Sequence, residues 1–264
     1  MEVPGAGRNK FFVLWSEMIG TAFVLLAVNW GGTSSHTPLC VGLTVAVMIQ
    51  MYGSISGGHF NPAVTVGMMI KHKHDDLPFG IVYGQVMMLF QFIGAALGCI
   101  LCAGAMVFLP QDDKTLPVPG SHYITQLCPR NGCNDGGKMV FKVFLVEGVM
   151  TFFFVCFVLQ IVKHNGAKET PVNGLAIGLA LYAAIQIASG ISGGCINPAV
   201  GLVQTCFQRL FNGHAYPNAQ PQQMMYMPIY LLSPFVGGMV AGFFQRVFVQ
   251  IAYDRAERVA QNAE

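Results

Sequence analysis

Ile55-Ser56-Gly57-Gly58-His59-Phe60-Asn61-Pro62-Ala63-Val64 returns later in the chain as Ile191-Ser192-Gly193-Gly194-Cys195-Ile196-Asn197-Pro198-Ala199-Val200, with eight of ten positions identical. The register holds further out. Gln50 and Gln186 each precede their asparagine by eleven residues, Glu17-x-x-x-Thr21 is echoed by Glu147-x-x-x-Thr151, and Phe92-Ile93-Gly94 by Phe235-Val236-Gly237. Matches in the same order along two halves make the chain a duplication.

Of the 264 residues, 53% are hydrophobic and only 10% charged, against about 25% charged in an ordinary soluble domain. Such a chain cannot cover a soluble surface, and it is far too apolar for disorder. A scattered net charge of +2 gives no footprint for nucleic acid. The remaining class is a membrane protein. A bilayer core needs roughly 20 apolar residues per helix, and six runs qualify, at 11–30, 39–56, 80–108, 139–162, 172–190 and 226–252. Two shorter apolar segments, 61–70 and 197–207, read as half-spanning helices. The expected fold is an all-α membrane protein of six transmembrane helices plus two half-spanning helices. A tail (1–10) leads into the first repeat (11–109), a connecting loop (110–138) follows, and the second repeat (139–252) ends in a tail (253–264). Three spans per copy is odd, so the second copy inserts upside down, and inverted repeats place their functional site at the membrane midplane.

Met1 to Lys10 is short and polar, and the apolar run after it is long enough to span, so no cleavable leader is expected. With both ends on one side, that side holds Arg8, Lys10, Lys71, Lys73, Lys163, Lys168, Arg246, Arg255 and Arg258, which is nine of the 14 basic residues. The opposite side holds Lys114, Arg130, Lys138, Lys142 and Arg209, which is five. The excess places both termini in the cytoplasm and the connecting loop outside. Most of the eight cysteines lie in apolar runs, where they act as small hydrophobes. Cys128 and Cys133 lie in the most polar stretch and are either a loop disulfide in an oxidising compartment or two free thiols. No Asn-x-Ser/Thr sequon is present.

Proline is at home in the first turn of a helix, and asparagine just before it is a favoured cap. Asn61-Pro62-Ala63 and Asn197-Pro198-Ala199 therefore start the two half-helices, and inversion makes those starts meet. Each helix N-terminus carries about half a positive charge, so the pair repels cations while the asparagine amides donate hydrogen bonds. The glycine pairs upstream are expected to let the chain run extended, with carbonyls facing a water-filled path. A line of acceptors ending in two donors suits a small, neutral, hydrogen-bonding solute. A loop break between buried helices explains one such motif more easily than two in inverted halves.

Glu17 and Glu147 are the two of 12 acidic residues inside apolar spans. Intramembrane carboxylates are costly. They are either a proton relay or acceptors for orphaned backbone N–H groups, and their symmetric placement favours the second role. His59 reads as a buried structural histidine, since no second His, Cys or carboxylate lies at ligand spacing. With no Walker lysine motif, no Gly-x-Ser-x-Gly and no paired zinc cysteines, no enzyme, cofactor or metal is expected. A secondary transporter also uses inverted repeats, but would want more ionisable residues in the spans. A membrane-packing protein with a closed pore is the third class.

Taken together these residues resemble the aquaporin (major intrinsic protein) family across about residues 11–252. The resemblance implies a passive channel in the lipid bilayer, generally a homotetramer with one pore per subunit. It implies Asn61 and Asn197 as midplane donors, lining carbonyls from Gly57, Gly58, His59, Gly193, Gly194 and Cys195, and Glu17 and Glu147 as braces of the half-helix loops. The family's narrow filter maps to Val41, Ile185, Gly194 and Val200. Water-selective members resemble one another in placing histidine at the Ile185 position and arginine at the Val200 position, and this chain has neither. The Ile-Gly-Val combination is similar to some plant tonoplast members, associated with water, urea and ammonia. Gly201 stands where glycerol facilitators carry aspartate, Tyr230 looks water-channel-like and Leu231 glycerol-channel-like. The expectation is a channel for water and small neutral solutes (glycerol, urea or ammonia) in the plasma membrane rather than the vacuole. A water-selective channel, or a closed structural member of the same fold, is the alternative.

Overall fold

The computed structural model describes residues 9–31, 36–71, 80–107, 138–164, 171–211, 220–249, 251–253, 255 and 261. These fold into helices α1 (Lys10–Trp30), α2 (Thr37–Ser56), α3 (Pro62–Lys71), α4 (Gly80–Val107), α5 (Lys138–His164), α6 (Pro171–Ser189), α7 (Pro198–Phe211) and α8 (Gln220–Phe244), and α8 runs into a π-helical turn, Gln245–Val249. Among the described residues, six helices are long and apolar enough to cross a membrane. The two that are not, α3 and α7, follow the Asn-Pro motifs.

The helix ends have chemical causes. Asn9 caps α1 by accepting from the Phe11 N–H at 3.0 Å. Proline stands in the first turn of α2, and Pro62, Pro171 and Pro198 open α3, α6 and α7, where a missing N–H costs nothing. α2 stops at Gly57, whose φ of 99° is easy only for glycine. Pro228 and Pro234 lie inside α8, which a membrane helix tolerates where neighbouring groups satisfy the freed carbonyls.

The packing repeats with the duplication. α1 packs on α4 as α5 packs on α8, α1 on α2 as α5 on α6, and each half-helix packs on the last span of the other half, α3 on α8 and α7 on α4. α2 and α6 pack on each other, as they must if a two-fold axis passes between them. Their crossing is glycine on glycine. A Cβ on Gly42 would lie 2.4 Å from the Gly178 carbonyl oxygen, and one on Gly178 would lie 2.3 Å from that of Gly42. Both glycines precede their motif asparagine by nineteen residues. Small residues of this kind let membrane helices touch backbone to backbone.

Polarity runs inside out relative to a soluble domain. Glu17, Thr21, Gln91, Glu147, Thr151 and Ser192 are fully buried, while Val82, Ile100, Phe141, Val172 and Ile187 are more than half exposed. Lipid is the surround that suits this surface. The protein is an integral, multi-pass membrane protein whose second three-span repeat is inverted relative to its first. Cys128, Cys133 and the connecting loop lie outside the described residues.

Candidate functional site

The two motif loops fold alike, angle for angle. Gly57 and Gly193 have φ of 99° and 93°, Gly58 and Gly194 64° and 72°, and Phe60 and Ile196 48° and 54°. These values correct the expectation of an extended chain through the glycine pairs. The backbone is left-handed there, because it must double back from the end of a span into a half-helix within five residues. Glycine takes that conformation readily, but a β-branched residue such as Ile196 is strained in it. Strain of this sort persists only where the surroundings over-determine it.

Here the surroundings are the two carboxylates. Glu17 Oε1 accepts from the Ser56 hydroxyl at 2.7 Å and the His59 N–H at 2.9 Å. Its Oε2 accepts from the Phe60 N–H and the Gln91 amide, both at 2.7 Å. Glu147 repeats the backbone part, accepting from Cys195 N–H at 3.0 Å and Ile196 N–H at 2.8 Å. Ser56 and Ser192 each accept from the second glycine of their own loop, at 3.0 and 3.3 Å. Buried backbone donors with no ladder to join find their acceptors this way. The two sides then differ. Gln91 also donates to Thr65 at 3.0 Å, and the Thr65 hydroxyl lies 3.1 Å from His59 Nδ1. Gly201 and Pro234 hold the corresponding places in the other half, where the Tyr230 hydroxyl instead donates to the Ser192 carbonyl at 2.5 Å.

Asn61 Oδ1 caps α3 by accepting from Ala63 N–H at 2.8 Å, and Asn197 Oδ1 caps α7 through Ala199 N–H at 3.0 Å. Their amides reach across the midplane. Asn61 Nδ2 donates to the Ile196 carbonyl at 2.9 Å and Asn197 Nδ2 to the Phe60 carbonyl at 3.0 Å. Each amide carries two N–H groups, so each keeps one beyond this bond. Two helix N-termini, each with about half a positive charge, are thereby locked together.

A narrow cavity, with a volume of about 20 Å³ open to the centre of a water molecule, lies beside this junction. Asn61, Asn197, His59 and Cys195 line it, as do Val41, Ile185 and Val200 of the expected filter. Gly194 is not among its lining residues, and neither are Gly57, Gly58 or Gly193. Gly194 packs behind the wall, where a Cβ would lie 2.7 Å from the Ile185 carbonyl oxygen. Sequence reasoning missed the apolar walls: Val24, Val28, Val45, Phe60, Phe154 and Leu181. The register held a signal for most of them. Val24 and Phe154 each stand seven residues after a buried glutamate, and Val45 and Leu181 each stand sixteen before a motif asparagine. Among the described residues, no group of three or more His, Cys, Asp or Glu side chains is placed to hold a metal ion.

The site can therefore offer a few fixed donors in an otherwise apolar passage, with no nucleophile set up for chemistry. Residues 10–245 match the model of the family described as Major intrinsic protein. Aquaporin C of Dictyostelium discoideum is 29% identical over 89% of this chain and 79% of its own length. Glycerol uptake facilitator protein-like 6 of Lactiplantibacillus plantarum is also 29% identical, over 87% of this chain and 90% of its own. Aquaporin-4 of Homo sapiens is 29% identical over 86% of this chain and 64% of its own. Among solved structures, the aquaglyceroporin from Plasmodium falciparum shares the fold at a TM-score of 0.70 and 19% identity, covering 93% of this chain and 99% of that one. The chain belongs to the major intrinsic protein family, a family of membrane channels and not of enzymes.

Proposed function

We propose that the protein is a passive channel for water and small neutral solutes such as glycerol, urea or ammonia, which pass in single file beside Asn61 and Asn197. The observation that carries this reading is the wall of the cavity: two clamped amides, each with an N–H to spare, and an outer ring of Val41, Ile185 and Val200 with no cation in it. Passing solutes trade water for these donors and for backbone acceptors of the motif loops at His59 and Cys195, the loop residues that line the cavity. Pro62, Ala63, Pro198 and Ala199 hold the half-helix starts in place, and Glu17 and Glu147 brace the loops. The paired half-helix ends disfavour cations without a fixed arginine. A relative named as a glycerol uptake facilitator supports a solute range wider than water.

In this reading residues 11–109 and 139–252 are the two repeats of one pore. Both termini face the cytoplasm of a plasma membrane, and four subunits assemble, each with its own pore.

Stopped-flow light scattering of proteoliposomes tests it. Shrinkage against sucrose faster than in protein-free vesicles, followed by rapid re-swelling in glycerol or urea, is the expected result. Fast shrinkage without re-swelling makes the channel water-selective. Flux that requires an ion gradient, or none above bare lipid, refutes the reading.

A further inference from the structure

We propose that Phe154 is the specificity-determining residue of the passage, and that solute size is limited at the midplane rather than at the outer ring of Val41, Ile185 and Val200. The inference rests on the channel reading above and concerns where in that channel selection occurs.

The lining breaks the symmetry of the duplication. The cavity that holds both asparagines is also walled by twin positions: Val24 with Phe154, and Val45 with Leu181. An inverted duplication that conserved these pairs would give a belt equal on both sides. Here one member of each pair is valine and the other is larger, and the larger two come from the second repeat. Phe154 is 3% exposed and Leu181 7%, so neither has room to swing away. The polar part of the lining is equally fixed, since each asparagine is bonded through both Oδ1 and Nδ2. Of the two phenylalanines in the lining, Phe60 is tied at its N–H to Glu17 and at its carbonyl to Asn197, which leaves Phe154 as the aromatic ring free of the motif loops to set the width. The outer ring has only aliphatic side chains, and Gly194 adds no side chain to it. The belt therefore passes water and slender solutes and obstructs branched or longer ones, and a smaller residue at 154 relaxes that limit.

The test measures water, urea, glycerol and erythritol permeability in proteoliposomes of the wild type, Phe154→Val (the residue of its twin), Phe154→Leu and Ile185→Val. The expected result is a rise in the glycerol-to-water and erythritol-to-water ratios of about fivefold or more in Phe154→Val, on the order of 1 kcal/mol in barrier. Phe154→Leu falls between it and the wild type, and Ile185→Val shifts the ratios less than Phe154→Leu does. If Phe154→Val fails to fold, Phe154→Leu against Ile185→Val decides. Intact water flux with unchanged ratios in the Phe154 variants, or a larger shift in Ile185→Val, overturns this inference and leaves the channel reading standing. A wild type with no water flux above bare lipid overturns both.

Discussion

Asn29 and Gln204 exchange two hydrogen bonds, Nδ2 to Oε1 at 3.0 Å and Nε2 to Oδ1 at 2.7 Å, and so tie α1 of the first repeat to half-helix α7 of the second. Both side chains are buried. At the twin positions, twelve residues after Glu147 and seven after Asn61, stand Leu159 and Met68, which belong to the apolar core. One fold thus accepts either an amide pair or an apolar pair at the same place. Asn29→Leu or Gln204→Met alone strands a buried amide and costs about 1–3 kcal/mol. The double variant, which transplants the apolar solution, regains most of that loss. Thermal unfolding in detergent, arranged as a double-mutant cycle, checks it. Simple addition of the two losses would refute the exchange.

The two braces differ in one partner, since Gln91 serves Glu17 while Pro234 stands at its place in the other half, and glutamine separates them. In Glu17→Gln one amide N–H₂ must face either Ser56 and His59 or Phe60 and Gln91, and so meets a backbone N–H in either case. In Glu147→Gln the amide opposes at least one backbone N–H, from Cys195 or Ile196, at a carboxylate that Ser192 and Gly194 also serve. Each stranded donor costs about 1–3 kcal/mol, and Glu17→Gln also disturbs the Gln91, Thr65 and His59 bonds behind it, so it lowers the melting temperature more. Equal losses would mean that Gln91 adds nothing to the first brace.

The α2–α6 crossing leaves no space for a methyl group. Gly42→Ala and Gly178→Ala each place a Cβ within 2.4 Å of a carbonyl oxygen, and the two helices must part. Overpacking of this kind costs about 1–3 kcal/mol. In α4, Gly104 has nothing within 4 Å of its Cβ position, and Gly104→Ala gains about 0.5–1 kcal/mol from reduced chain entropy. Opposite signs in the melting temperature are the expected outcome.

Val200→Arg tests the outer ring. The side chain at 200 is buried and lines the cavity, so arginine adds both bulk and a charge there. Glycerol and urea flux are expected to fall more than water flux. Equal losses of all three would mean that the new side chain closes the passage instead of screening it.

The architecture was legible because it is written twice. Helix starts followed from Asn-Pro, and inversion followed from an odd number of spans per copy. Other features left no such mark. In a membrane helix every face is apolar, so hydrophobic patterning cannot tell a side chain lining a passage from one facing lipid. Val24 and Phe154 were hidden for that reason, although Glu17 and Glu147 mark the face on which they stand. The left-handed Phe60 and Ile196 were hidden by residue type, because neither favours that conformation and only the carboxylates behind them make it hold. Gln91 and Asn29 were readable in principle, being polar residues within apolar runs.

The crossed asparagine bonds bear on how the protein is made. Asn61 finds its acceptor 135 residues further along the chain, and the Phe60 carbonyl waits for a donor 137 residues away. At about 5–20 residues per second of synthesis, the first motif exists for on the order of ten seconds before its counterpart leaves the ribosome. During that interval the first three spans carry an unfinished loop at Phe60 and Asn61. Closure of this loop is a late event of biogenesis, and a lesion in the second motif is felt as a defect in the first.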